Sequence, residues 1–162
     1  MRDDSSGGDV AERLARERSV QQQLARAQEV GRLGSWEVDF ERNSLTWSDM
    51  VFRIFEIDRE DFGGTEEAFF ELIHPDDRAA FLEARARWLD DGGPFADEHR
   101  IVTPAGRVKW EIERAEILTD ESGTPRFTTG TVQDISDLKA LEEEKRDTER
   151  ELSRQASLLQ IA

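Results

Sequence analysis

The sequence of 162 residues contains no cysteine and only two histidines. The absence of cysteine excludes a disulfide framework, a thiolate metal site and a cysteine nucleophile. The sequence also has neither a G-x-S-x-G segment nor a glycine-rich phosphate loop, so carboxylates are the main side chains left for catalysis. We therefore expect no enzymatic activity, no catalytic residues and no metal site.

Positive charge is scarce as well. Lysine and arginine together number 22 against 37 aspartates and glutamates, which gives a formal net charge of -15. A field of this sign repels phosphate backbones and anionic lipid headgroups, so we expect no nucleic-acid partner. No apolar run approaches the ~20 residues that cross a bilayer, and the N-terminus lacks the apolar core of a signal peptide. We expect no membrane insertion and a cytoplasmic location.

The first part of the chain has the pattern of a single amphipathic helix over residues 9–33, and we expect the polar residues 1–8 before it to be disordered. The apolar stripe of this helix consists of Val20, Leu24, Ala27 and Val30. A stripe this narrow does not stabilise an isolated helix in water, so the helix should pack on the domain or on a second copy of itself.

The middle of the chain predicts two strands, then short helices, then three more strands. Alternating apolar and polar residues predict strands over 35–40, 45–47, 95–102, 108–118 and 126–133. Ser48 and Thr65 are expected to cap two short helices, and Pro75 to begin a third over about residues 76–90. This order is typical of an α+β domain with one antiparallel sheet and helices on one face, which we place at residues 34–136.

The last part of the chain, residues 137–162, predicts a coiled-coil helix. Residues at alternating spacings of three and four form its seam, and these are Leu138, Leu141, Lys145, Thr148, Leu152, Gln155 and Leu159. We expect a parallel homodimer in which Leu24, Leu141, Leu152 and Leu159 lie at the contact. The polar seam residues should weaken the coil enough for two registers to lie within a few kcal/mol.

Four groups of residues stand out along the middle of the chain. They are Gly34 to Asp39 with Leu45 to Ser48, then His74 to Arg78, then Arg100 to Val102 with Pro104, Gly106 and Trp110, and finally Gly130 to Ser136. Taken together and in this order, they resemble the PAS sensor domains of bacterial histidine kinases and cyclic-dinucleotide enzymes, over about residues 31–141. The resemblance implies a five-stranded antiparallel sheet around a small cavity, with flanking helices that carry a signal to an output domain.

The family's closing motif, Asp-Ile-Thr, appears here as Asp134, Ile135 and Ser136, and serine keeps the hydroxyl group. We expect Ile135 to anchor the turn in the core while Asp134 and Ser136 bond to the amides of the helix that follows. Any junction between a strand and a helix favours such residues. The functional hypothesis is that this junction couples the sheet to the coil.

Haem and flavin are the cofactors that the resemblance implies as candidates, and we expect neither. His74 lies at a helix boundary, where it is a poor axial ligand, whereas His99 has the parity of a residue that faces the cavity. A core histidine with satisfied hydrogen bonds is nevertheless the more common case. Light-sensing relatives use a cysteine, which is absent here, and a glutamine at the position that Val132 occupies. No cofactor is therefore predicted, and an unknown small molecule remains the alternative.

The long fourth strand has an irregular pattern, because its apolar residues change parity between Ile112 and Ala115. A β-bulge would explain the change. Two interpretations stay open at this point. Either Glu111 and Glu113 face solvent or pair with Arg100 and Arg114, or Glu111 faces the cavity and selects a cationic or hydrogen-bond-donating ligand. The expected pocket residues are Phe52, Phe55, Phe69, His99, Ile101, Glu111 and Val132.

The resemblance implies a sensory and dimerisation module of a bacterial signal-transduction protein such as a two-component system. Its signal would pass through the C-terminal coiled coil to an effector, for example a histidine kinase or cyclase domain. The alternative is a ligand-free PAS domain that acts as a dimerising spacer or a platform for protein binding. A cavity filled by phenylalanine side chains would favour this alternative, and an open cavity with a polar lining would favour sensing.

Overall fold

The structure is a computed structural model that describes residues 6–161. Its elements in chain order are α1 (Ser6–Gly31), β1 (Leu33–Asp39), β2 (Ser44–Trp47), α2 (Asp49–Phe55), a 3-10 turn (Arg59–Asp61), α3 (Glu66–Phe70), α4 (Pro75–Asp91), β3 (Phe95–Val102), β4 (Val108–Thr119), β5 (Pro125–Asp134) and α5 (Ser136–Ile161). The five predicted strands are all present, with ends that differ by at most two residues from the predicted ones.

The five strands form one antiparallel sheet in the order β2-β1-β5-β4-β3. Strand β1 therefore joins the N-terminal hairpin to the C-terminal meander by pairing with β5, and Trp36 lies opposite Gly130. Only glycine fits at position 130, because a Cβ atom there would lie 2.2 Å from the carbonyl oxygen of Arg114. The α+β architecture implied by the resemblance is confirmed.

Helices α2, α3 and α4 pack on one face of the sheet and close the core. The buried apolar side chains of this core are Val38, Leu45, Trp47, Val51, Ile54, Phe55, Ile57, Phe69, Ile73, Phe81, Trp88, Phe95, Ile101 and Val132. At the helix ends, Thr65 accepts a hydrogen bond from the amide of Ala68, as predicted. Ser48 is the N-cap residue of α2, as predicted, but its side chain makes no capping bond: its Oγ accepts the amide hydrogen of Ser35 at 3.0 Å and so ties α2 to β1.

The predicted bulge in β4 is also wrong. The strand pairs with β5 without interruption from Glu111 to Leu118, and its register shifts only between Leu118 and Thr119. Regular alternation along a strand places residues i and i+2 on the same face. The inner face of β4 therefore carries Glu111, Glu113, Ala115 and Ile117. Two carboxylates thus lie on the buried face of the strand, where apolar side chains are usual.

Helices α1 and α5 extend from the two ends of the domain and are exposed along most of their length. Helix α1 begins at Ser6, so residues 6–8 of the segment predicted to be disordered are helical, and residues 1–5 lie outside the described residues. Between residues 6 and 161, no helix is long and apolar enough to cross a membrane.

Candidate functional site

A cavity lies between the inner face of the sheet and helices α2 to α4. Its volume is about 30 Å3, which gives room for about two water molecules. Most of the wall is apolar, and the lining residues are Trp36, Val38, Leu45, Trp47, Val51, Phe55, Glu66, Phe69, Phe70, Phe81, Arg85, Trp88, Phe95, Glu111, Glu113, Thr128 and Val132. Phenylalanine side chains fill much of the space, but two buried carboxylates face what remains.

The two carboxylates and a histidine form an acidic corner, a name we use for Glu111, Glu113 and His99. His99 on β3 lies opposite Glu111 on β4, and Glu113 follows two residues later on the same face. These residues are 2%, 0% and 6% exposed for His99, Glu111 and Glu113. One nitrogen or oxygen atom from each lies within 4.8 Å of the others. The pairing of β3 with β4 therefore brings together three groups that carry charge or protons.

Both ring nitrogens of His99 have a carboxylate as partner. Nδ1 lies 3.0 Å from Oδ2 of Asp97, and Nε2 lies 2.6 Å from Oε1 of Glu111. Since each bond needs one proton, either the imidazole carries two protons or Glu111 donates its own. Burial lowers the pKa of His99, but the bonds to Asp97 and Glu111 outweigh burial and raise this pKa to about 10.

The carboxylates of the acidic corner have the imidazole of His99 as their basic neighbour. Burial raises the pKa of Glu111 although the bond to His99 opposes this, and burial also raises the pKa of Glu113 to about 8. Among the described residues, no lysine or arginine forms a salt bridge with either carboxylate. Oε2 of Glu111 is buried without a hydrogen-bond partner. The corner can therefore accept a proton, a hydrogen-bond donor or a cation.

The mouth of the cavity is formed by the four lining residues that are not fully buried, Trp36, Glu66, Phe70 and Arg85. Arg85 on α4 donates two hydrogen bonds to Glu66 at the start of α3, at 2.9 and 2.5 Å. The guanidinium of Arg85 also lies over the ring of Phe70. This ion pair joins α3 to α4 beside the cavity.

The structure brings together only some of the pocket residues that the sequence predicted. Phe55, Phe69, Glu111 and Val132 line the cavity. His99 does not line the cavity itself, but it is bonded to Glu111, which does.

Two other predicted pocket residues, Phe52 and Ile101, lie elsewhere. Phe52 packs edge-on against Trp47 with the guanidinium of Arg59 over its ring, and the buried Ile101 forms a β-bridge with Ile73. Sequence reasoning missed Glu66, Arg85 and Glu113. Of these, Glu113 was within reach, because it has the same parity in β4 as Glu111.

The free volume of this cavity is far below that of the pockets that hold ligands of haem or flavin size. Pockets that hold ligands of that size have volumes of about 300 to 1,000 Å3, whereas this cavity has about 30 Å3. Val132 is buried against the cavity at the position where a light-sensing relative carries glutamine, and Gln133 points to the other face of β5. His74 is occupied in capping α4, since its Nδ1 accepts the amide hydrogen of Asp76.

The junction between β5 and α5 is bonded to β4. Asp134 accepts the amide hydrogen of Ser136, as expected for a residue at the start of a helix, and Ile135 is buried. The hydroxyl of Ser136 has a different partner from the one predicted: its Oγ accepts the amide hydrogen of Trp110 at 3.0 Å. The amide of Ile135 donates to the carbonyl of Trp110 at 2.9 Å. The start of α5 is therefore fixed to the strand that carries Glu111.

Comparison with known proteins gives consistent matches. The family model described as "PAS fold" matches residues 44–132, more than half of the chain. Sensor protein FixL of Bradyrhizobium diazoefficiens is 30% identical over 110 residues, which are 68% of this chain and 22% of that protein. A blue-light-activated histidine kinase of Brucella ovis is 30% identical over 129 residues, which are 77% of this chain and 24% of that protein.

The fold is also found among solved structures. A sensory box histidine kinase/response regulator from Burkholderia thailandensis superposes with a TM-score of 0.68 and 26% identity, over 82% of this chain and 98% of that chain. The present chain spans less than a quarter of the length of the two sensor proteins above. The family match, the strand order and the relatives agree, and the chain belongs to the PAS family.

Proposed function

We propose that this chain is a sensory and dimerisation module of a bacterial signalling protein, without catalytic activity of its own, and that α5 carries its signal to an effector such as a histidine kinase or cyclase domain. One observation carries the proposal: the start of α5 is bonded to β4, the strand that also carries Glu111. A rigid link between the sheet and an outgoing helix is what transmission needs, because a flexible tether would not convey a shift of the sheet. The relatives that are kinases support the choice of effector.

The proposed dimer rests on side chains that one copy leaves exposed. Leu24, Leu141, Leu152 and Leu159 are 58%, 62%, 60% and 80% exposed, respectively. Helix α5 has no described partner along its C-terminal half, where its residues are exposed throughout. A single exposed helix with this leucine seam is marginal in water, and pairing with a second copy would bury the seam.

The second candidate is a ligand-free spacer, and the small volume of the cavity favours it. Phe55, Phe69 and Phe81 occupy much of the space in which a ligand would lie. The acidic corner argues in the other direction, because a buried carboxylate such as Glu113, which forms no salt bridge among the described residues, destabilises a purely structural core. We also propose that neither haem nor flavin is bound, although one relative is named for blue light. An absorption spectrum and a native mass spectrum of the purified protein test this directly.

Insertions into α5 test the proposed function. In a fusion with a dimeric histidine kinase domain directly after α5, seven residues inserted after Glu144 keep the heptad phase, and four residues change it. If the coil carries the signal, the seven-residue insertion should leave kinase activity near the wild-type level, whereas the four-residue insertion should change it several-fold. Equal activity of both insertions would show that α5 is only a tether.

A further inference from the structure

We propose that Glu111 and Glu113, together with His99, form a binding site for a divalent metal ion at the inner end of the cavity. The three residues lie on two paired strands of the inner face, and one donor atom of each lies within 4.8 Å of the others. The site deepens the proposed function, because it names the class of ligand that the sensor would detect. The binding experiment below does not itself depend on signalling.

The first argument is the unpaired carboxylate oxygen. Glu111 is fully buried, and its Oε2 has no hydrogen-bond partner. An unpaired buried acceptor costs about 1 to 3 kcal/mol, and native proteins seldom leave one without a partner such as an ordered water or an ion. Since Glu111 and Glu113 both line the cavity, an ion placed there would have carboxylate oxygens from two side chains.

The second argument is the orientation of His99. Asp97 lies 3.0 Å from Nδ1 of His99, so the carboxylate of Asp97 holds the ring and accepts its Nδ1 hydrogen. The other ring nitrogen, Nε2, lies 2.6 Å from Oε1 of Glu111, and loss of the proton shared in this bond would leave its lone pair free to bind a metal ion. Histidines that bind metal ions almost always donate their second N–H group to a carboxylate, a carbonyl group or water in this manner. Asp97 would thus be a positioning residue for the metal ligand.

The third argument concerns charge. Without the protons that the corner can hold, Glu111 and Glu113 would place two negative charges in a buried space where no lysine or arginine among the described residues pairs with them. Burial of such charges is costly unless something positive lies between them. A divalent cation supplies two positive charges, and the cavity beside the carboxylates has room for an ion and a water molecule.

The donor set limits the choice of ion. One imidazole nitrogen and two or more carboxylate oxygens suit Zn2+, Mn2+ or Fe2+, whereas Ca2+ and Mg2+ prefer oxygen ligands alone. Nε2 of His99 and Oε1 of Glu111 are 2.6 Å apart, and donor atoms around a tetrahedral metal ion at about 2.1 Å lie roughly 3.4 Å apart. Metal binding would therefore require His99 or Glu111 to move apart by about 0.8 Å, or Glu111 to bind through Oε2.

Protons are the competing occupant of the corner. A proton shared between His99 and Glu111, with a second on Glu113, also removes the excess of negative charge. The two occupants differ in what they predict, because metal binding releases these protons and adds mass, whereas protonation leaves the protein without a metal.

Metal binding to the whole chain is the decisive measurement. The purified protein is treated with EDTA, exchanged into buffer, and titrated with ZnCl2 and separately with MnCl2 by calorimetry, with native mass spectrometry of each product. We expect one ion per chain for at least one of these metals. Absence of binding of both ions at 100 µM, with no change in melting temperature, would overturn the proposal and leave the corner to protons.

Two variants on the same strand locate the site. Glu113→Gln removes one ligand while keeping the shape of the side chain, and Glu116→Gln makes the same change on the exposed outer face of β4. The substitution Glu113→Gln should lower metal affinity at least tenfold. Substitution of a residue that only bonds to a metal ligand already lowers affinity about 10- to 100-fold, so loss of a ligand should have at least this effect. The substitution Glu116→Gln should leave the affinity unchanged. Equal affinities of both variants would show that any ion binds elsewhere.

The fold of each variant is checked without metal. Because Glu113→Gln removes a buried carboxylate that has no positive partner, we expect this variant to melt at or above the wild-type temperature in EDTA. Addition of the metal should raise the melting temperature of the wild-type protein and of Glu116→Gln, but not of Glu113→Gln. A failure of metal binding would leave the dimer and the insertion experiment untouched, so the two proposals fail separately.

Discussion

Asp77, in the first turn of α4, accepts three hydrogen bonds from Arg100 on β3. The backbone amide of Arg100 lies 2.8 Å from Oδ2, its Nε lies 2.9 Å from the same oxygen, and one terminal nitrogen lies 2.7 Å from Oδ1. This bidentate pair joins the helix that carries Arg85 to the edge strand that carries His99. The position of α4 on the sheet, and with it the mouth of the cavity, is therefore set in part by one carboxylate.

Replacement of Asp77 should destabilise the domain. We expect Asp77→Ala to lower the free energy of unfolding by about 2 kcal/mol, since hydrogen bonds to charged groups contribute about 1.5 to 3 kcal/mol. Asp76→Ala is the matched control, because Asp76 is also in the first turn of α4 but its side chain is exposed. Asp76→Ala should lower the free energy of unfolding by less than about 1 kcal/mol. Urea unfolding of both variants at pH 7 measures the difference.

The same pair gives a pH dependence. Hydrogen bonds from Arg100, opposed in part by burial, lower the pKa of Asp77 from 3.8 to about 2. A lowered pKa in the folded state means that the stabilisation is complete above the unfolded-state pKa and is lost as the pH falls towards the folded-state value. The stability difference between the wild-type protein and Asp77→Asn should thus be constant from pH 6 to 5 and shrink below pH 4. A difference that grows with acid would contradict this assignment.

Ser136 should matter for both stability and output. Ser136→Ala leaves the amide of Trp110 without its acceptor, which should cost about 1 to 2 kcal/mol. Ser136→Thr keeps the hydroxyl and is the control. In the kinase fusion, we expect the alanine variant to change the activity per folded molecule, and the threonine variant to retain wild-type regulation. Loss of stability with unchanged output would favour the spacer function.

A methyl group at Gly130 should disrupt the centre of the sheet. The Cβ atom of Gly130→Ala would lie 2.2 Å from a backbone oxygen and 2.7 Å from the ring of Trp36, so β5 must move away from β1 or β4. We expect the free energy of unfolding to fall by about 2 to 3 kcal/mol, which is the upper part of the range that overpacked cores show. Gly8→Ala in α1, where the new methyl group meets no atom within 4 Å, is the control. Thermal melts followed by circular dichroism compare the two.

The coiled-coil dimer can be tested with two leucines of nearly equal exposure. Leu152 lies in the seam and is 60% exposed, whereas Leu158 lies outside it and is 61% exposed. If the protein is a monomer, Leu152→Gln and Leu158→Gln should both sediment as the wild-type protein does. In the proposed dimer, only Leu152→Gln should raise the dissociation constant, by roughly tenfold or more per side chain removed from a buried seam. Analytical ultracentrifugation distinguishes these outcomes.

Sequence patterns predicted the strands well because most of them obey the rule that alternate residues are apolar. The third strand was predicted with both of its ends correct, at Phe95 and Val102. The rule failed in β4, where Glu111 and Glu113 take inner positions and the apparent change of parity was explained by a bulge that does not exist. Alternation indicates which residues share a face, but polarity alone does not show which face is buried.

The acidic corner was harder to predict for a different reason. His99 and Glu111 are neighbours only because β3 and β4 pair in one particular register, and the sequence does not state that register. The sequence placed both residues in the pocket but gave no sign that they bond to each other, and it led us to expect no metal site. Phe52 was assigned to the pocket because it is an apolar helix residue, yet the direction of its side chain depends on its packing against Trp47.

Strand β4 brings the corner and the coil within one residue of each other. Glu111 follows Trp110, the residue bonded to Ser136, and it lies opposite Asp134 in the sheet. Thermodynamic coupling between two sites is reciprocal: if an occupant of the corner alters the free energy of coil pairing, pairing alters the affinity for that occupant by the same factor. A monomeric variant such as Leu152→Gln would then bind the occupant with a changed affinity, although position 152 lies far along the helix from the cavity. If α5 pairs, the affinity of the buried corner for its occupant would therefore depend on protein concentration, since concentration sets the fraction of chains that are paired.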